Sequence, residues 1–170
     1  MKTVAVIAFL CSAVVAQAQV DPIWQGNYFC KASHVGGVAF NEQTKTWTGT
    51  TFRPRGQFVL SVREAPKEVQ AQFTSTTTEN PGQYYVTVSE MGQPGASPLT
   101  CEPVGAGWGS KKPVLIFKAG YLQCEHSLST LKISFATMRY LNAYLQGYIG
   151  GQDNNDNTPS IEIGTCAKID

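Results

Sequence analysis

The chain has 170 residues, and its 13 lysines and arginines against 12 aspartates and glutamates give a formal net charge of +1. A balance this close to neutral argues against binding of nucleic acid or of an anionic membrane surface through bulk charge. The two histidines, His34 and His126, lie in no recognisable zinc or catalytic-triad motif. We therefore expect a protein that is not an enzyme and that needs no cofactor.

The first 18 residues have the organisation of a secretory signal peptide. Lys2 precedes an apolar run over residues 4–15, and Ala16-Gln17-Ala18 matches an A-x-A cleavage site. The apolar run is too short for a transmembrane helix, which needs about 20 apolar residues. We expect residues 1–18 to be removed, residues 19–170 to form a single β domain, and the protein to be secreted or periplasmic.

Removal of the signal peptide takes Cys11 with it and leaves Cys30, Cys101, Cys124 and Cys166. An even number of cysteines in an exported chain indicates two disulfides, for which three connectivities exist. We favour Cys30–Cys166, which ties the first strand to the last and suits a sheet that closes on itself. The other pair, Cys101–Cys124, would close a loop. Four thiols on zinc are disfavoured because no C-x2-C spacing occurs.

Short runs rich in Thr, Val and aromatic residues alternate with turn residues along the chain. Residues 36–52 predict a β-hairpin around a polar turn at 41–45, and residues 57–63 alternate apolar and polar side chains as a half-buried strand does. Further strands are predicted at 69–78, 83–90, 99–101, 114–117, 121–124, 131–135 and 160–166. This spacing predicts an antiparallel β-barrel or β-sandwich of about eight to ten strands, stapled by disulfides.

Residues 91–113 contain five glycines and four prolines, which predicts an irregular surface loop. Trp108 lies in this loop between Gly107 and Gly109. Its ring has two interpretations: it packs under the loop and holds it, or it faces a ligand.

Residues 139–149 alternate with period two and predict a strand. We expect its apolar face to join the core; that face comprises Leu141, Ala143, Leu145, Gly147 and Ile149. Three tyrosines of the opposite face, Tyr140, Tyr144 and Tyr148, would then point outward in a row. Such a row is a candidate binding surface, and the alternative is aromatic packing across strands.

The loop at residues 153–157 offers side-chain oxygens at alternate positions, from Asp153, Asn155 and Asn157. Alternating oxygen ligands are typical of calcium sites. An EF-hand would also need glycine at its sixth position and glutamate at its twelfth, where this chain has Thr158 and Gly164. The alternative is an ordinary turn, because Asn and Asp side chains bond the local backbone.

Residues 147–166 (GYIGGQDNNDNTPSIEIGTC) and 36–52 (GGVAFNEQTKTWTGTTF) resemble small exported bacterial proteins that are known mainly as uncharacterised sequences. The chain is more weakly similar to periplasmic lysozyme-inhibitor-type barrels, which also begin with an aromatic-x-Cys strand, here Tyr28-Phe29-Cys30, and end near a cysteine. The Ser-Gly-x-Gly-rich inhibitory loop of that family has no counterpart, because no serine precedes Gly105-Ala106-Gly107. The similarity therefore implies the barrel and not the inhibition.

These features together predict an exported, non-enzymatic binding protein for a small apolar molecule or a protein partner. Small closed barrels can hold one ligand inside. The alternatives are a structural or envelope-associated interaction module and, third, an unrecognised hydrolase.

Overall fold

A computed structural model of the protein describes residues 23–70, 81–92, 95–107 and 109–170. The predicted signal peptide, its cleavage site and Trp108 lie outside these residues. The described chain forms ten strands: β1 Gly26–Asn41, β2 Thr46–Phe52, β3 Gln57–Glu64, β4 Gly82–Glu90, β5 Leu99–Cys101, β6 Val114–Ile116, β7 Tyr121–His126, β8 Ser129–Ser134, β9 Arg139–Tyr144 and β10 Ser160–Lys168. It also forms one short helix, α1, over Lys67–Gln70 and a single 3-10 turn over Tyr148–Gly150.

Eight of the strands close into an antiparallel barrel, which confirms the predicted fold class and decides between barrel and sandwich. Their order is β10-β9-β8-β7-β6-β4-β3-β1, and β1 pairs in turn with β10. The other two strands lie at the margins, where β2 pairs with β1 and β5 with β4. Closure leaves the eight barrel strands without a free edge, which would otherwise be open to pairing with another chain.

The long strand β1 changes partner halfway along its 16 residues. Its first part, from Gly26 to Lys31, pairs with β3, and its second part, from Val35 to Asn41, pairs with β2. The register against β10 shifts between Ala32 and His34, which is a β-bulge. A bulge bends a strand and increases its twist, so it directs the second half of β1 toward the β2 hairpin.

Inward-pointing side chains fill the barrel. Leu60, Val62, Val86 and Leu131 are completely buried. Aromatic rings occupy the remaining width, with Tyr28 and Phe135 centroids 4.8 Å apart and Phe58 and Tyr140 centroids 5.1 Å apart. An eight-stranded barrel is just wide enough for side chains to fill. The interior is accordingly a packed core.

Both predicted disulfides are confirmed. Cys30 and Cys166 lie directly opposite each other on β1 and β10, so the bond joins the two strands that close the barrel. Cys101 and Cys124 join β5 to β7.

The predicted strand at 69–78 is wrong at its start. Val69 and Gln70 belong to α1, where their amides donate to the Pro66 carbonyl oxygen over 2.9 and 3.2 Å. The Gln70 side chain also donates to the Ala65 carbonyl oxygen, over 2.6 Å, and fixes this turn. Residues 71–78 of the predicted strand lie outside the described part of the chain.

The predicted facing of residues 139–149 is also wrong at most positions, although Ala143, one of the residues expected in the core, is buried at 9% exposure. β9 ends at Tyr144, and the side chains of Leu145 and Ile149, expected in the core, are 56% and 80% exposed. Tyr140, expected outside, is buried at 4% exposure. Its ring lies against Gly164 of β10, where a Cβ would come within 2.5 Å of the ring, so the glycine makes room for the tyrosine inside the barrel.

Candidate functional site

The outward-facing surface of β7, β8, β9 and β10, which we call the outer wall, exposes the large apolar side chains of Tyr121, Ile161 and Ile163. The strand register places Ile163 beside Leu141 and Ile161 beside Ala143. Ile161 and Ile163 are 46% and 45% exposed. Contiguous apolar surface of this kind on a folded protein marks an interaction site more often than scattered single residues do.

A cleft of about 410 Å³ opens at one side of the outer wall, and we call it the Tyr121 cleft. Its shape follows from the register, because Ser134 on β8 lies between Tyr121 on β7 and Arg139 on β9. The small serine between two large side chains leaves a depression. Phe117, from the turn after β6, and Leu141 complete its apolar lining.

The charged groups of the Tyr121 cleft are both cationic. Lys132 and Arg139 line it, both are exposed, and no aspartate or glutamate is among its lining residues. Within the described part of the chain, neither cation forms a salt bridge. The cleft therefore combines an aromatic and aliphatic lining with two positive charges that no acidic side chain of the described residues pairs with.

A second cleft of about 400 Å³ lies at the other side of the outer wall, and we call it the Leu145 cleft. Its lining is almost entirely apolar and uncharged: Gly36, Gly37, Val38, Leu145, Pro159, Ser160 and Ile161. Backbones approach closely here, since the Val38 amide donates to the Pro159 carbonyl oxygen over 3.1 Å and a Cβ on Gly37 would collide with Pro159.

The three predicted tyrosines are not brought together. The buried Tyr140 hydroxyl donates to Glu162 over 2.7 Å, and burial, together with that hydrogen bond and charge, raises the pKa of Tyr140. Tyr144 is half-buried and its hydroxyl donates to Asn157 over 3.0 Å. Tyr148 is 60% exposed and meets the Trp47 ring edge-on at 5.5 Å. Each tyrosine therefore has a separate environment, and they form no common surface.

The oxygens proposed as calcium ligands accept hydrogen bonds from other parts of the barrel. Asp153 accepts from the Trp47 indole over 2.9 Å, and Asn157 accepts from Tyr144. The Asn155 side chain forms two hydrogen bonds with the backbone of Phe40. It accepts from the Phe40 amide over 2.8 Å and donates to the Phe40 carbonyl oxygen over 2.9 Å. The loop is thus docked on the β1–β2 hairpin. Among the described residues, no three His, Cys, Asp or Glu side chains are grouped to hold a metal.

A polar cluster lies inside the barrel near the end of β7. His126 is 7% exposed, and burial lowers its pKa, while a hydrogen bond with Asn142 and the charge of Glu90 act in the opposite direction. Nδ1 of His126 and Oδ1 of Asn142 are buried without a well-aligned partner among the described atoms. His126 lines neither the Tyr121 cleft nor the Leu145 cleft.

Tyr121, Lys132 and Arg139 were not predicted as site residues from the sequence. The signal that could have found them is the alternation in β7 and β8, where buried Leu122, Leu131 and Ile133 force their neighbours outward.

Comparison with protein-family models found no match, and searches of curated proteins and of solved structures likewise found none. The resemblance to small exported proteins and to lysozyme-inhibitor-type barrels therefore stays a prediction. In the described ranges, no helix reaches the length and hydropathy that crossing a membrane requires.

Proposed function

We propose that the protein is an exported, non-enzymatic binding protein that holds its ligand against the outer wall of the barrel. The observation that carries this proposal is the contrast between a packed interior and an outer wall that exposes apolar side chains between two clefts of about 410 and 400 Å³. Small-molecule sites in proteins are typically concave, apolar and of about 300–1,000 Å³.

A ligand inside the barrel is disfavoured by packing. The rings of Tyr28, Phe58, Phe135 and Tyr140 occupy the space that a ligand would need, and each is at most 7% exposed. Opening this core would separate aromatic pairs and expose apolar area, at a cost of about 25 cal/mol for each Å².

Export is supported by the two disulfides, because disulfides persist in oxidising compartments and are rare in the cytosol. The leader-like residues 1–18 support the same proposal. Secretion or a periplasmic location follows as part of the proposed function.

Titration with Nile red, a neutral apolar dye, tests whether the outer wall binds ligands. We expect saturable fluorescence enhancement with the disulfide-bonded protein. The double variants Tyr121→Ser/Leu141→Ser and Leu145→Ser/Ile161→Ser each remove apolar surface from one cleft. At least one of them should weaken dye binding about tenfold or more, while thermal melts remain cooperative.

The control variant is Ile23→Ser/Val104→Ser, which removes two apolar side chains that are 72% and 52% exposed and that line neither the Tyr121 cleft nor the Leu145 cleft. It should bind the dye as the unchanged protein does. Dye binding that survives both cleft variants, or no saturable binding at all, would contradict a ligand site on the outer wall.

A structural or envelope-associated interaction module is the second candidate function. It is favoured by the continuity of the outer wall, since Ile163 and Leu141 bridge the space between the two clefts. A protein partner would cover both clefts at once, so the two double variants should then weaken its binding together.

A further inference from the structure

We propose that the Tyr121 cleft binds a small amphipathic anion, a molecule with a flat apolar ring system and one carboxylate or sulfonate group. This inference rests on the proposed function of the outer wall and specifies the ligand class for one of its two clefts.

The apolar half of the ligand is matched by Phe117 and Tyr121. Their side chains are 42% and 58% exposed, and both line the cleft together with Leu141. Exposed aromatic rings offer large contact area and favour offset or edge-on contact with another ring. A flat aromatic body can lie between Tyr121 and Arg139, with Ser134, which is 8% exposed, at the floor of the cleft.

The anionic half is matched by Lys132 and Arg139. Lys132 is opposite Leu141 on β9, and Arg139 is opposite Ser134 on β8, so the two cations belong to adjacent strands. A guanidinium group binds a carboxylate through two parallel hydrogen bonds, and a lysine adds a mobile point charge. Because no aspartate or glutamate is among the lining residues, none of them repels a bound anion.

Two other clefts formed by the described residues lack this combination. The Leu145 cleft has no charged lining residue, and the cleft beside β5 is lined by Glu102 and Glu125, which would repel an anion. Both glutamates there already bind loop amides, from Gly109 over 3.1 Å and from Gly105 over 3.3 Å. Of these three clefts among the described residues, the Tyr121 cleft alone is lined by cations without an acidic residue.

The experiment compares three naphthalene ligands of nearly equal shape: 2-naphthoate, neutral 2-naphthamide and cationic 2-naphthylmethylammonium. Each is titrated into isotopically labelled, disulfide-bonded protein and followed by amide chemical shifts. We expect naphthoate to bind at least about tenfold more tightly than naphthamide, and the ammonium compound to bind most weakly. Shifts should centre on Tyr121, Ser134 and Leu141, and naphthoate affinity should fall as salt rises.

The variant Lys132→Gln/Arg139→Gln removes both positive charges of the Tyr121 cleft and leaves its apolar lining unchanged. It should bind naphthoate and naphthamide equally. The matched control, Arg55→Gln/Lys67→Gln, removes two exposed cations outside the cleft and should keep the preference for naphthoate. Thermal melts should show that both variants fold.

The outcomes separate this inference from the proposed function. Equal affinity of naphthoate and naphthamide for the unchanged protein would overturn the anion preference and leave an apolar site on the outer wall. Naphthoate shifts that centre away from the Tyr121 cleft would also overturn it. Failure of all three ligands would overturn it too, and the Nile red titration would then decide separately whether the outer wall binds apolar molecules.

Discussion

His126 is a titratable residue inside the barrel, and its burial links the stability of the fold to pH. The imidazole is 7% exposed, and its pKa is lowered because burial disfavours the charged ring more than Asn142 and Glu90 favour it. At neutral pH the neutral ring can stay buried without an ion partner. Below the ordinary histidine pKa of about 6.5, the unfolded chain takes up a proton that the folded chain does not.

We predict that His126→Gln flattens the pH dependence of stability on the acidic side of pH 6.5. A lowered folded-state pKa means that the unfolded state binds more protons, so the free energy of unfolding of the unchanged protein falls as pH drops through this region. Urea denaturation at pH 7.5, 6.5, 5.5 and 5.0 measures the slope. His34→Gln, which removes an exposed imidazole, is the control. An unchanged slope in His126→Gln would show that other groups cause the acid sensitivity.

β9 is the element where sequence patterns were least able to predict the structure. Period-two alternation correctly indicated a strand beginning at Arg139, but alternation alone cannot say which face points inward. On this barrel Leu145 is exposed and Leu141 half-buried, whereas Tyr140 enters the core because Gly164 opposite leaves space for its ring. The strand ends at Tyr144, and three residues later Gly147, with φ at 94°, turns the chain so closely that a Cβ would collide with Asn157.

Other elements were predictable because one face of each is clearly apolar. Phe58, Leu60 and Val62 alternate along β3, and all three are buried as expected. The hairpin turn after β1 follows from Asn41, whose side chain accepts hydrogen bonds from the Gln43 and Thr44 amides over 2.9 and 3.1 Å. The Tyr121 cleft was not predictable, because it forms from side chains of three strands whose register the sequence does not specify.

We predict that two substitutions in and beside β9 differ greatly in their effect on stability. Tyr140→Ala removes a buried ring that contacts Phe58, and it should lower the free energy of unfolding by about 3–5 kcal/mol. Leu145→Asn changes a side chain that is 56% exposed and should alter it by about 0.5 kcal/mol or less. Urea denaturation of both variants measures the difference. Comparable losses would mean that Leu145 contributes to the core.

At the scale of the whole molecule, the barrel is closed twice, by hydrogen bonds between β1 and β10 and by the Cys30–Cys166 disulfide. This disulfide was predictable because a first and a last strand must meet if the sheet closes. The sequence could not separate barrel from sandwich, since both contain many short antiparallel strands and differ only in which strands pair.

We predict that the two disulfides differ in their contribution to stability. The Cys30–Cys166 bond spans 136 residues of sequence and the Cys101–Cys124 bond spans 23. Loop-closure entropy then predicts losses of about 5 and about 3 kcal/mol for the paired alanine variants. Urea denaturation of Cys30→Ala/Cys166→Ala and Cys101→Ala/Cys124→Ala tests this order. A larger loss in the second variant would mean that native contacts around β5, and not chain entropy, dominate.

The position of the Cys30–Cys166 bond also determines how the molecule responds to mechanical tension. Asn27 and Asp170 lie side by side, joined by a hydrogen bond between their side chains. A force that pulls these two residues apart reaches the disulfide after only a few residues on either side, and the bond then carries the load. The chain between the two cysteines, with both clefts of the outer wall, remains unstretched for as long as the bond is oxidised.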